Sequence, residues 1–255
     1  MIKVLSIAGS DPSSGAGIQL DLKVFQKLDA FGMAIPAALT IQNSRGVLST
    51  ETVPAALLVK QVDFLLSDIK PKAVKTGMLL TRQNVDAVAE SLAKHEIRNI
   101  IVDPVLRSSS GKMLLKRDAV ISLKKSLFPR ALVITPNIPE AETLTGLSIT
   151  TEKDMDYAAG KLLDMGPAYV LIKGGHRTGP AEDTLYGGTS VLMFSTTRKR
   201  GRFHGTGCAL SSALAVFIAR GLSVEKAVEK AKQVVDSLLK SAKPTGKSRI
   251  RYFQF

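Results

Sequence analysis

Short apolar, β-branched runs alternate with amphipathic stretches along this chain. Val4–Ala8, Ala34–Thr40, Ala73–Lys75, Asn99–Val102, Leu132–Thr135 and Tyr169–Lys173 each read as a buried strand of a parallel sheet. The stretches between them predict helices over Val53–Leu66, Arg82–Lys94, Ala119–Leu127, Glu140–Thr145 and Glu152–Met165. Ile18, Leu22, Phe25 and Leu28 keep helical spacing after Gly17. Thr151 with Asp154 marks a capping box. Thr184–Tyr186 and Val191–Ser195, joined through Gly187-Gly188, read as a hairpin, and helices Cys208–Arg220 and Val224–Lys240 close the pattern. This alternation predicts a doubly wound α/β fold, a mostly parallel sheet flanked by helices. No internal repeat and no linker interrupts it. The expectation is one domain over residues 1–255, with only the last ten or so residues loosely attached.

Composition narrows the class. The 255 residues are 45% hydrophobic, enough for one substantial core, and no apolar run is long enough for a membrane span. Met1-Ile2-Lys3-Val4 runs straight into a strand with no leader pattern, and a single cysteine fits a reducing compartment, so a cytoplasmic setting is expected. His95, His176 and His204 lie far apart and, with one cysteine, offer no zinc-site spacing. The net charge of +13 is compatible with nucleic acid, a membrane surface or an anionic substrate, although most lysines fall among acids on solvated helix faces. Basic clusters occur at Arg198-Lys199-Arg200 with Arg202, and at Lys240, Lys243, Lys247, Arg249 and Arg251. Aromatics make up only 5% of the chain, so stacking platforms are scarce and nucleic-acid binding is disfavoured.

The candidate chemistry lies where strands end. In doubly wound sheets, ligands bind beyond the carboxyl ends of the strands. Here those ends carry Gly9-Ser10-Asp11, Thr40-Ile41-Gln42-Asn43, Lys75-Thr76-Gly77-Met78, Asp103-Pro104, Asn137-Ile138-Pro139-Glu140 and Lys173-Gly174-Gly175-His176. His204-Gly205-Thr206-Gly207-Cys208 stands ahead of an apolar, small-residue helix. Such a turn offers backbone N–H groups at the positive end of a helix dipole, suited to a phosphate or a developing phosphoryl anion, with Cys208 at its lip. The plainer reading makes it a loop before a buried helix, with Cys208 as a small core residue. Gly15-Ala16-Gly17-Ile18-Gln19-Leu20 lacks the third glycine of a dinucleotide fingerprint, and Gly246-Lys247-Ser248 has Ser241 where a Walker motif needs glycine. Asp103 and Glu140 on one rim would suit Mg²⁺, which takes one or two carboxylates plus water. Asn137 and Lys173 can supply donors to phosphate oxygens. Taken singly, these residues read as turn and cap residues; together at one rim they read as a site.

Four segments resemble the ribokinase-like superfamily and, within it, the hydroxymethylpyrimidine and hydroxymethylpyrimidine-phosphate kinases of thiamine biosynthesis. They run from Ala8 to Asp21, Thr40 to Val47, Thr135 to Ala141 and His204 to Cys208. The resemblance implies a ribokinase-like fold, ATP with Mg²⁺, and γ-phosphoryl transfer to a hydroxymethyl group and then to the monophosphate. It implies that Gln42 hydrogen-bonds the aminopyrimidine edge and that Gly9, Asp21 and Met78 line the same pocket. It further implies Asp103 and Glu140 around Mg²⁺, Asn137 and Lys173 on the ATP phosphates, and Gly205, Thr206, Gly207 and Cys208 as the anion hole. Most relatives in the superfamily have an aspartate base where this chain has Cys208. The thiol is left as a base, if the helix dipole lowers its pKa, or as a group that orients the alcohol. Thr40 and the loop Arg107-Ser108-Ser109-Ser110-Gly111 depart from the usual pattern and loosen the substrate assignment. A pyridoxal or pyridoxine kinase is the first alternative, and a non-catalytic basic binding or regulatory protein the second. The resemblance also suggests a homodimer.

Overall fold

The computed structural model describes residues 1–108, 111–174, 181–188 and 191–255. Its central sheet starts with β1 (Ile2–Ser10), whose six consecutive buried residues, apolar or small apart from Ser6, match a strand covered on both faces. The parallel block adds β2 (Ala30–Asn43), β4 (Ala73–Thr76), β5 (Ile100–Val102), β6 (Val133–Ile134) and β7 (Tyr169–Lys173). Antiparallel β3 (Gly46–Thr52) edges one side, and β8 (Ala181–Gly187) with β9 (Leu192–Thr196) the other. The order β3-β2-β1-β4-β5-β6-β7-β8-β9 places β1 between β2 and β4. The winding therefore reverses at β1 and β4, and the crevice beyond their carboxyl ends is where such sheets bind ligands.

Helices cover both faces, as the alternation predicts. One face carries α2 (Ala55–Asp68), α3 (Arg82–Lys94), α4 (Arg117–Ser122), α5 (Ile138–Thr145) and α6 (Glu152–Leu163); their core includes Leu58, Val88, Leu144 and Leu162. The other face carries α1 (Gly17–Lys27), α7 (Thr206–Ala219) and α8 (Val224–Ser241) over Val24, Phe25, Leu214 and Val228. Helix α7 is buried at every position from Ala209 to Ile218, so it sits between α1, α8 and the sheet rather than on the surface. That placement aims its N-terminus at the rim where β5 and β7 end.

Several boundaries differ from expectation. Strand β2 runs beyond Ala34–Thr40 at both ends, and β3 is a strand that the apolar pattern does not predict, because its largely polar residues lie on an exposed edge and bury no alternating face. The stretch expected as one helix over Ala119–Leu127 begins at Arg117, widens into a π-type turn over Leu123–Leu127 and tightens at Phe128–Arg130. Helix α5 starts at Ile138, because Asn137 and Glu140 form a reciprocal capping box. The expected box at Thr151 and Asp154 forms as well. The C-terminal residues are not loosely attached. A ribbon of β10 (Lys243–Pro244) and β11 (Arg251–Tyr252) holds them, and Tyr252 and Phe253 are buried. The expected hairpin forms between β8 and β9, but Thr189 and Ser190 of its turn lie outside the described residues. So does His176.

Candidate active site

Gly205 opens the site. Its φ of +82° is left-handed, and a Cβ there would lie 2.0 Å from the Gly15 carbonyl oxygen, so the turn accepts glycine alone. The first intrahelical bond of α7 runs from Ala209 N–H to the Gly205 carbonyl, at 2.8 Å. The N–H groups of Thr206, Gly207 and Cys208 precede it and have no partner within the helix. They stand at the positive end of the helix, where the motif is expected to hold an anion.

Beside the turn stand the two carboxylates. Asp103 follows β5 and is buried, with the Lys173 ammonium donating to it at 2.9 Å, Thr135 Oγ1 at 3.3 Å and Ser211 Oγ at 3.3 Å. Burial works to raise the Asp103 pKa, but the charges of Lys173 and Lys75 outweigh it and hold the carboxyl ionised. Glu140 lies 4.0 Å from the same Lys173 nitrogen. Burial, reinforced by the neighbouring Asp103 charge, pushes Glu140 up to about 7 against the pull of Lys173. Burial likewise opposes the charge on Lys173, yet Asp103 and Glu140 keep it protonated. A Cβ on Gly207 would sit 3.1 Å from Lys173 Nζ and 3.7 Å from Asp103 Oδ2, so turn, lysine and carboxylate are immediate neighbours. Asn137 gives its Oδ1 to the Glu140 N–H at 2.8 Å, while Glu140 accepts from the Asn137 N–H at 2.8 Å. Any donor Asn137 offers a ligand is therefore its NH₂ end. Among the described residues no three His, Cys, Asp or Glu side chains converge as a metal cage. Two carboxylates completed by water and phosphate oxygens remain a fitting set for Mg²⁺.

Two clefts meet at this cluster. A cleft of about 510 Å³ is lined by Gln42, Val47, Asp103, Leu114, Glu140 and Cys208 among others. A second, of about 320 Å³, is lined by Asp183, Arg198, Lys199, Lys232 and Leu239 among others. Asn137, Lys173, Phe203, Thr206 and Gly207 line both. The basic run thus contributes two side chains to the smaller cleft, with Lys199 also 3.7 Å from Asp236.

Gln42 lies in the larger cleft, its amide 2.9 Å from His204 Nε2 and 3.3 Å from Thr40 Oγ1. Met78 and Gly9 touch each other, since a Gly9 Cβ would lie 2.4 Å from the Met78 methyl. Met78 packs in a small apolar cluster with Ala38, Leu80 and Leu114, flanked by Val47 and Val105, and the last three line the cleft. Asp21 is different: it is fully buried, accepting from Ser6 Oγ at 2.6 Å, Ser212 Oγ at 2.7 Å and Lys75 Nζ at 2.8 Å. It does not reach the cleft wall. Cys208 is partly buried, and burial pushes its thiol up to about 11, although Lys75 and the Gly17 N–H pull the other way. The expected lowering by the helix dipole is thus overcome by desolvation.

Sequence reasoning passed over three groups. Lys75, fully buried on β4, is held protonated by Asp21 despite the penalty of burial, and its charge acts on both Asp103 and Cys208. A lysine in an apolar strand was the available signal. Lys232 of α8 pairs with Asp183 at 2.6 Å, and Asp183 accepts from the Gly174 N–H at 3.0 Å, tying the end of β7 to the smaller cleft. His204 was given no role in the site; it lies 2.9 Å from Asp11 and packs edge-on against Tyr252 at 5.4 Å between ring centroids.

A glycine turn at a helix N-terminus where two clefts join is an arrangement suited to transfer between a donor and an acceptor. The molecule is a phosphotransferase with a ribokinase-like fold. More particularly, the chain belongs to the phosphomethylpyrimidine kinase family, whose family model matches residues 11–252. It is 41% identical to the hydroxymethylpyrimidine/phosphomethylpyrimidine kinase of Bacillus subtilis, over 91% of this chain and 87% of that protein. It is 42% identical to the thiamine biosynthesis bifunctional protein ThiED of Geobacter sulfurreducens over 96% of this chain, and spans 50% of that longer protein. The phosphomethylpyrimidine kinase of Clostridium difficile superposes with a TM-score of 0.83 at 40% identity, covering 93% of this chain and 99% of that one. The pyridoxal kinase of Staphylococcus aureus, in complex with AMP-PCP and pyridoxal, superposes at 0.89 with 33% identity, covering 99% and 93%.

Proposed function

We propose that this enzyme transfers the γ-phosphoryl group of ATP to the hydroxymethyl oxygen of 4-amino-5-hydroxymethyl-2-methylpyrimidine, and then a second one to the monophosphate, as a step of thiamine biosynthesis. The observation that carries this reading is the junction of the two clefts at Thr206 and Gly207. ATP takes the smaller cleft, with its phosphates toward Lys173, Asn137 and the turn. The pyrimidine takes the larger one, with its polar edge at Gln42. The N–H groups of the turn and the Lys173 ammonium face the charge that spreads over the phosphoryl oxygens as it transfers. Asp103 and Glu140 would hold Mg²⁺, which supplies charge neutralisation between the phosphates. The new bond forms from the alcohol oxygen to phosphorus as the bond to the ADP oxygen breaks. Cys208, protonated at neutral pH because of its burial, lies against the alcohol and orients it; the alcohol proton leaves to the transferred phosphoryl group.

The setting we infer is the cytoplasm, with a homodimer as the working form; sedimentation tests the latter. Among the described residues no helix is long and apolar enough to cross a membrane. Phosphorylation of pyridoxal is the second reading, favoured by the similarity to the Staphylococcus aureus protein, which was solved with pyridoxal bound. The test is a competition of the hydroxymethylpyrimidine against pyridoxal for Mg·ATP. Preferential use of the pyrimidine supports the first reading, and preferential use of pyridoxal the second.

A further inference from the structure

Asp11 collects an unusual number of donors. Its Oδ1 accepts from Ser13 N–H at 2.8 Å and Ser13 Oγ at 2.7 Å, and its Oδ2 accepts from Gly15 N–H at 3.2 Å and Ala16 N–H at 2.9 Å. Four donors divided between the two oxygens leave no acceptor for a carboxyl proton nearby and suit the ionised form. Burial works against that charge, but hydrogen bonds from His204 and Ser13 hold the carboxyl below its ordinary range. His204 Nε2 lies 2.9 Å from the same Oδ2. Facing a carboxylate that has no proton to give, this nitrogen must carry its own hydrogen and donate.

Gln42 then has one orientation left. Its amide end nearest His204 is 2.9 Å from that protonated Nε2. An NH₂ group there would set donor against donor, whereas the carbonyl oxygen can share the one Nε2–H with Asp11 Oδ2 in a bifurcated bond. The other end of the amide, 3.3 Å from Thr40 Oγ1, is then the NH₂ group. Thr40 fits this, because its single hydroxyl proton is already directed at the Ser10 carbonyl at 3.0 Å, leaving lone pairs to accept from Gln42. Which end of an amide is nitrogen follows from such a network rather than from the shape of the group. Tyr252 and Gly15 border the imidazole: a Cβ on Gly15 would meet His204 Cδ2 at 2.3 Å and Tyr252 Cε1 at 2.4 Å, so only glycine leaves the ring its place.

We infer that Asp11 and His204 are positioning residues that lock the Gln42 amide with its oxygen toward His204 and its NH₂ toward Thr40, and that this lock sets the selectivity for an aminopyrimidine edge. The locked amide keeps one N–H for a ring nitrogen of the ligand and one carbonyl lone pair for its exocyclic amine. An unlocked amide samples both orientations and presents the matching pair only part of the time. The inference rests on the pyrimidine reading for its consequence but not for the lock itself.

The experiment has two arms. In the free protein, ¹⁵N NMR of labelled histidine reads which ring nitrogen of His204 carries hydrogen. The lock requires a protonated Nε2; a resonance showing Nε2 without hydrogen overturns it, whatever the enzyme phosphorylates. In the second arm, kcat/KM is measured for the aminopyrimidine and for its analogue lacking the amino group, in wild type, His204→Phe, His204→Gln, Gln42→Leu and the His204→Phe/Gln42→Leu pair. His204→Phe should lower the ratio of the two kcat/KM values about tenfold, the worth of one hydrogen bond, with the KM for ATP unchanged. His204→Gln, which keeps an N–H donor and stands in if His204→Phe does not fold, should retain most of the ratio. In the Gln42→Leu background His204→Phe should change the ratio no further. An unchanged ratio in folded His204→Phe, loss in His204→Gln as large as in Phe, or additive losses in the pair would each overturn the inference. Failure of wild type to phosphorylate the pyrimidine would instead sink the functional reading and leave the NMR arm to decide the lock.

Discussion

Replacing Lys75 by methionine should destabilise the protein far more than loss of a surface ion pair. Both partners of the Lys75–Asp21 pair have side chains with no exposure, and the contact is 2.8 Å. Methionine fills much of the lysine volume, so the cavity term is small. What remains is a carboxylate buried with only the Ser6 and Ser212 hydroxyls, at 2.6 and 2.7 Å, in place of a full counter-charge. Stranding one member of a buried pair typically costs about 3–5 kcal/mol, against about 0–1 kcal/mol for an exposed pair. Removing both charges with Lys75→Met/Asp21→Leu should cost less than either single change, because no charge is then stranded. Urea unfolding of the four proteins measures this, with equal m-values as the check that only stability changed. The same variant carries a functional signature. Lys75 is the largest influence lowering the Cys208 pKa, so its loss should push that thiol above about 11 and slow alkylation of Cys208 at any given pH. A cost under about 1 kcal/mol for Lys75→Met would refute the reasoning that this pair is sealed from water.

Gly207→Val should fold, since the nearest atom to its Cβ is the flexible end of Lys173 at 3.1 Å, but displacing that ammonium and crowding the turn should lower turnover by ~10²–10³; a folded variant with near-normal turnover would reject the turn as the phosphoryl site. Gly205→Ala should instead destabilise the protein by at least ~1–3 kcal/mol from its left-handed backbone and the contact with Gly15, as read by thermal melting. Cys208→Ala should lower turnover while leaving the shape of the pH–rate profile through neutral pH unchanged, because the wild-type thiol is already protonated there; a profile whose thiol titration vanishes in the variant would restore Cys208 as the base. Glu140 has its pKa raised to about 7 from 4.5, so the uncharged form favours the folded state. In the metal-free protein its contribution is full below pH 4.5 and lost as pH rises through about 7, and Glu140→Gln should flatten urea stability across that window.

The strand–helix alternation and the chemistry at the strand ends were legible in the sequence because apolar runs and glycine turns are local signals. The parallel block falls where those runs stand, and Asp103, Glu140, Lys173 and the 205–208 turn meet at one rim. What was not legible depends on contacts distant in sequence. Strand β3 has too little buried face to show a period, and it becomes a strand only by pairing with β2. Asp21 was expected by resemblance to line the pyrimidine pocket, and its enclosure by Lys75 and Ser212, 54 and 191 residues away, has no local signal. The direction of the Cys208 shift could not be read from the sequence, because the helix dipole is a local property, whereas desolvation by the surrounding elements is not. The last ten or so residues were expected to be loosely attached, yet Tyr252 closes over His204 and Phe253 enters the core.

The central claim is that one site phosphorylates the hydroxymethylpyrimidine twice. The direct measurement is ³¹P NMR of the purified protein with the hydroxymethylpyrimidine, Mg²⁺ and excess ATP, followed in time, with pyridoxal in a parallel tube. The account predicts a monophosphate ester signal that rises first, a diphosphate that grows at its expense, and loss of both in Gly207→Val. Phosphorylation of pyridoxal with no ester formed from the pyrimidine would contradict it.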